Sequence, residues 1–84
     1  MIEKISEEKI LDLIRKGFFQ AFGTEFDRVT FECTPEDIPG WDSLGHTLLV
    51  AELESLFAIT FDLDEMMEME DVRAIVNVLR KRMN

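Results

Sequence analysis

Cysteine and histidine each occur once in this 84-residue sequence, and each scarcity removes a class of chemistry. A lone Cys33 cannot close an internal disulfide. Without companion thiols or clustered histidines it is also a poor metal ligand, which leaves it as a small loop or semi-buried residue. Basic residues are scarce too: 9 lysines and arginines stand against 18 acids, a formal charge of -9. Such a surface repels nucleic acid and anionic membranes and attracts partners with basic patches. Long apolar runs are absent. The opening MIEKISEEKI does not read as a signal peptide and no segment approaches membrane-spanning length, so we expect a cytoplasmic protein without membrane insertion. A chain of 84 residues makes one small domain, residues 1–84, but cannot enclose a deep catalytic cavity, which argues against an enzyme that acts alone. There is no internal repeat and no low-complexity segment.

What is present is enough to build a core, since 46% of the residues are apolar. Ser6 is a favourable N-cap for a first helix, with Ile5 and Ile10 spaced as a hydrophobic staple. Ile10, Leu11, Ile14, Phe18 and Phe22 then recur at intervals of three and four, and Gly23 offers a C-terminal stop. Gly17 weakens the middle of this helix slightly. From Thr24 to Trp41 the periodicity fades. Pro35, Pro39 and Gly40 mark a long connection, pinned to the core by Val29, Phe31 and Ile38.

A second helix begins at Asp42 or Ser43 and runs to Phe57. At 3.6 residues per turn, Leu49, Val50, Leu53, Leu56 and Phe57 form the buried side, while Leu44, Leu48 and Ala51 fall roughly opposite, facing solvent or a partner. The segment DEMMEME supplies a short third helix, Asp64 to Met69. A last helix runs from Asp71 or Val72 to Arg82 with Val72, Ile75, Val76 and Leu79 inward, its basic end complementing the helix dipole. The expected fold is all-α: a small bundle of three longer helices and one short helix, with a long loop between the first and second.

Asp42, Ser43 and His46 contain the residue types of a nucleophilic triad, but their spacing opposes one. The helical projection turns His46 toward Leu49 and Leu53, away from Ser43, and Asp42 is placed to cap. The glycine preceding Ser43 stands three residues away, where the G-x-S-x-G elbow requires two. His46 reads as a satisfied core or rim histidine. DLDEMMEMED has enough acids for calcium but lacks the glycine and alternating ligands of an EF-hand, and reads as a solvated acidic face with no metal. What remains is a hydroxyl at the first turn of a helix, where unpaired N–H groups and the dipole favour a negative group such as a phosphodiester.

The stretch DSLGHTLLVAELESLFAITF follows a proline-containing loop and a first amphipathic helix, and it resembles an acyl carrier protein or a related aminoacyl or peptidyl carrier. The likeness extends over essentially the whole chain: size, acidity, long first loop, the helix after the serine, the short acidic helix and the closing helix near Val72. It implies that Ser43, flanked by Asp42 and Leu44, receives 4'-phosphopantetheine from coenzyme A. A separate phosphopantetheinyl transferase that needs magnesium makes the transfer, and the carrier itself catalyses nothing. The arm's thiol would hold an acyl or aminoacyl group as a thioester, and a flexible tether raises its local concentration at a docked enzyme.

The same resemblance assigns the acids of the second and third helices to basic patches on loading and transferring enzymes. Here that face comprises Asp64, Glu65 and Glu68 beside the stripe of Leu44, Leu48 and Ala51. It also implies shelter for cargo among the helices, lined by Leu49, Leu53, Phe57, Met67 and Ile75, residues that core packing explains equally well. Two departures from the housekeeping fatty-acid carriers stand out. Pro-Gly-Trp-Asp precedes the serine where those carriers have a small residue pair before the aspartate, and Leu48 and Leu56 stand where they tend to have glutamates. The expectation is a monomeric carrier in a dedicated pathway: a secondary metabolite, a cell-envelope modification or aminoacyl transfer. The alternative is a helical interaction module that binds through Leu44, Leu48 and Ala51 without a prosthetic group.

Overall fold

Ser6 begins the first helix as its spacing predicts, its hydroxyl accepting the Lys9 N–H at 3.2 Å. A computed structural model describes residues 6–83, so the staple expected between Ile5 and Ile10 lies outside the described residues. Helix α1 spans Glu7–Phe22 and ends at Gly23, whose backbone turns left-handed and donates its N–H to Phe19. Its inward stripe of Ile10, Leu11, Ile14 and Phe18 is buried, while Phe22 packs half-buried at the edge.

Helix α2 runs Ser43–Phe57, α3 Leu63–Glu68 and α4 Val72–Met83. No strand occurs among the described residues, and no helix there is long and apolar enough to cross a membrane. The all-α architecture of three longer helices and one short helix is therefore the fold. Leu49 and Leu53 from α2 and Val72, Ile75, Val76 and Leu79 from α4 join the α1 stripe in one core, with Val78 beside them. α1 packs on both α2 and α4, and α3 rests on α4.

Three details depart from the sequence reading. The connection from 24 to 41 is not featureless: single 3-10 turns form at Phe26–Arg28 and Pro35–Asp37, the latter opened by proline and by the Asp37 carboxylate, which accepts both the N–H and the hydroxyl of Thr34. Helix α3 starts one residue earlier than expected, because Asp62 and Glu65 cap each other's backbone N–H groups at 2.8 and 3.0 Å. Gly17, expected only to weaken α1, is buried where a Cβ would come within 2.9 Å of Leu53 Cδ2, so its lack of a side chain lets α1 and α2 approach. Leu56 lies half-buried on the inward side of α2 as its spacing predicts, its side chain reaching toward Gly17 of α1, so it does not join Leu48 on the partner face that the comparison with housekeeping carriers suggested.

The long connection is tied down from within. Val29 and Ile38 are buried, and Phe31 lies half-buried under the Arg73 guanidinium, 4.4 Å from its ring centre. Cys33 is buried; its thiol donates to the Arg28 carbonyl at 3.2 Å, and its own carbonyl accepts the Val72 N–H at 3.1 Å. The loop thereby caps the start of α4 together with Asp71, whose carboxylate accepts the Ala74 N–H. At the other end of α4, Arg80 joins Arg73 in pairing with Glu7, and Arg82 reaches across to Glu65.

Leu53 is fully buried and Leu48 is 53% exposed on the opposite side of the same helix. Leu53→Ala is expected to destabilise by about 2 to 5 kcal/mol, as cavity-forming core changes do, and Leu48→Ala by far less. Denaturant melts of the two variants measure the difference, and the reverse order would invert the assignment of the two faces.

Candidate functional site

The start of α2 is shaped by a backbone crossing. Gly40 has φ +94°, a conformation that L side chains rarely adopt, and it turns the chain so that its carbonyl lies against the first turn of α2. A Cβ at Gly45 would fall on the Gly40 carbonyl oxygen, so only glycine lets the two segments meet. The turn is closed by Trp41 N–H to the Ile38 carbonyl at 3.1 Å and Asp42 N–H to the Gly40 carbonyl at 3.0 Å.

From this turn Asp42 enters as the N-cap. Its carboxylate accepts the Gly45 N–H at 2.8 Å, and its carbonyl accepts the His46 N–H at 2.7 Å. Because aspartate takes the cap, the serine hydroxyl stays outside it: Ser43 is the first residue of the helix and is exposed. The two N–H groups that open the helix, those of Ser43 and Leu44, belong to the first turn, which lacks intrahelical acceptors and carries the positive end of the helix dipole. Leu44, next in line, is 77% exposed.

Ser43 stands on the rim of an open cleft of about 650 Å³ between the connection, α2 and α3. Trp41 and Pro35 form one wall, Thr47 and Val50 line the α2 side, and Leu63, Met66, Met67 and Met69 face them from α3 and its end. Three methionines give this wall soft, rotatable side chains that conform to irregular apolar shapes. Leu63 and Met67 are 68% and 69% exposed, large apolar side chains left open to solvent at the cleft mouth. This cleft, and not the interior, is the space available beside Ser43. Of the residues expected to shelter cargo, Leu49, Leu53 and Ile75 are packed solid in the core and Phe57 packs against it, while Met67 belongs to the cleft.

His46 resolves the question of a triad. Its ring does not turn toward Leu49 and Leu53 as the projection suggests, but lies half-buried between Trp41 and α3. Nδ1 stands 2.9 Å from the Trp41 indole nitrogen and Nε2 stands 3.0 Å from the Met66 carbonyl oxygen. The indole N–H only donates, so Nδ1 accepts and the proton resides on Nε2, which donates to Met66. Both ring nitrogens are committed, and neither is left to draw a proton from Ser43. Among the described residues, no group of acids, cysteine and histidine is arranged to hold a metal ion.

The residues expected on a partner face differ in their exposure. Leu44, Leu48 and Ala51 are all exposed along α2, and Asp64 and Glu68 are exposed on α3. Glu65 differs: its carboxylate accepts the Asp62 N–H and pairs with Arg82 at 2.6 Å, so it braces α3 and is half-buried. The sequence reading missed Trp41, Leu63, Met66 and Met69 as residues of the site. A signal for Trp41 existed, since a buried indole N–H needs an acceptor and the sole imidazole lies five positions on. No family model matches the chain, and no curated protein matches it.

Gly45→Ala is expected to cost about 3 kcal/mol through overpacking against backbone that cannot yield. The variant's melting temperature checks the cost, and the amide spectrum should shift most at residues 39 to 46.

Proposed function

We propose that this protein is a carrier of acyl or aminoacyl groups, held as thioesters on a 4'-phosphopantetheine arm joined to Ser43. The observation that supports this most is the pairing of an exposed serine hydroxyl, left free by its aspartate cap, with an apolar cleft opening beside it. The resemblance of DSLGHTLLVAELESLFAITF to carrier sequences supports it independently.

The residues at the start of α2 fit such a group. A phosphodiester on Ser43 would sit at the positive end of the helix, where the N–H groups of the first turn favour a negative charge. When bound, the arm supplies a thiol that forms the thioester with the cargo. The cleft wall of Leu63, Met66 and Met67 offers an apolar chain contact close to its point of attachment. The protein's own residues bind, orient and present; reaction at the thioester belongs to partner enzymes, as does the transferase step that modifies Ser43.

A formal charge of -9 steers basic surfaces toward the protein over a distance. Close contact then falls on the exposed Leu44, Leu48 and Ala51, beside Asp64 and Glu68. An apolar residue at 48 on this face favours enzymes of a dedicated pathway over those that read a more acidic surface.

Incubation of the protein with coenzyme A, magnesium and a promiscuous phosphopantetheinyl transferase is expected to add one phosphopantetheinyl group, read by intact mass, and none to Ser43→Ala. No addition under conditions that modify a control carrier would leave the interaction module as the reading. Leu48→Glu is expected to stay folded and to be modified at Ser43, yet to load more slowly with the cognate enzyme. Side-by-side loading assays measure this, and equal rates would remove Leu48 from the interface.

A further inference from the structure

Helix α3 has the least to hold it. It is six residues long, too short to persist alone, and none of its residues is fully buried. Its anchor in the core is Met69, just past its end. Met66 alone of its residues packs partly buried against the core, and the other contacts that fix the helix are discrete and polar. At its start, Glu65 receives the Arg82 guanidinium, which also donates to the Thr60 carbonyl at 3.0 Å. At its other end, the Met66 carbonyl accepts the capping Met69 N–H only at 3.4 Å and takes a second, shorter hydrogen bond from the N–H at His46 Nε2.

We propose that Trp41, His46 and the Met66 carbonyl form a latch that keeps α3 closed against the cleft and couples its position to the segment bearing Ser43. The coupling follows from hydrogen-bond polarity. Trp41 is the fixed end, 3% exposed and set edge-on to Phe18 with ring centres 4.9 Å apart. Because the indole can only donate, it selects the imidazole tautomer, and that tautomer makes His46 a donor toward α3. With the proton on Nδ1 instead, two N–H groups would oppose each other on one side and two lone pairs on the other. Both contacts therefore form together or fail together. Trp41 and His46 bracket Ser43 in sequence, so the latch is anchored on both sides of the serine before it reaches α3. His46 is thus a positioning residue acting through Met66. Its control of cargo entry into the cleft rests on the carrier reading; the latch itself does not.

The test uses the unmodified full chain. Having a single histidine makes its ring nitrogens unambiguous in nitrogen-15 spectra. Neutral His46 is expected wholly as the Nε2–H form, and Trp41→Phe, which keeps a ring in the core and deletes the donor, is expected to give a mixture of tautomers. In hydrogen exchange, His46→Ala should speed the Met66, Met67 and Glu68 amides about tenfold, the scale of one lost hydrogen bond, while α1 and α4 keep their rates. His46→Gln, with one acceptor and one donor on a planar group, should restore most of the protection, and Trp41→Phe should reproduce the loss. An Nδ1–H tautomer in the unaltered protein would overturn the latch. So would unchanged exchange at α3, or acceleration shared equally by α1 and α4. Failure of Ser43 to accept phosphopantetheine sinks the carrier reading and leaves these outcomes unaffected.

Discussion

The contact between the Gly40 carbonyl and the first turn of α2 at Gly45 sets the position of everything around Ser43. Two backbones meet there with no side chain between them, a proximity that holds the end of the long connection flush against the helix. With that approach fixed, Asp42 arrives at the cap, Ser43 is left exposed at the first helical position, and Trp41 is driven inward onto Phe18. The buried indole N–H then needs an acceptor, finds His46, and through it the Met66 carbonyl of α3. One close approach thereby arranges the serine, one wall of the cleft and the attachment of the short helix.

The protein divides its surface by the same economy of means. Stability rests on α1, α2 and α4, whose fully buried aliphatic and aromatic side chains make one core. The connection adds Val29, Cys33, Ile38 and Trp41 to that core, whereas α3 buries none of its own residues fully and leans on polar contacts, which keeps the cleft beside Ser43 apolar without making it part of the packed interior. Four of the seven large apolar side chains exposed among the described residues, Leu44, Leu48, Leu63 and Met67, lie on α2 and α3, where acidic residues also lie; Phe19, Phe26 and Met83 are the others. A surface that is acidic at long range and apolar at short range attracts basic partners and then discriminates among them by fit.

Helix positions were legible because they depend on local periodicity and caps. Ser6, Gly23 and Asp42 each satisfy backbone groups within a few residues, and the inward stripes of α1 and α4 repeat at helical spacing. Helix α3 was displaced by one residue because its start depends on which of several neighbouring acids wins the cap, and Asp62 wins through its reciprocal bond with Glu65. Gly17 was misjudged for a different reason: its value lies in the proximity of Leu53, far away in sequence, and local helix propensity carries no information about that.

By itself the sequence determined the all-α class, the three longer helices, the exposure of Leu44 and Leu48 opposite Leu49 and Leu53, and the placement of Ser43 at a helix start. All of these follow from residue spacing along one element. Only the tertiary structure decided where the cleft lies, that DEMMEME contributes a methionine wall as well as an acidic face, that Glu65 is spent on Arg82, and that His46 turns from the core toward Trp41 and Met66. Each of these depends on two segments meeting, and the direction of a hydrogen bond between segments is fixed by the donors and acceptors available where they touch, not by the period of either one.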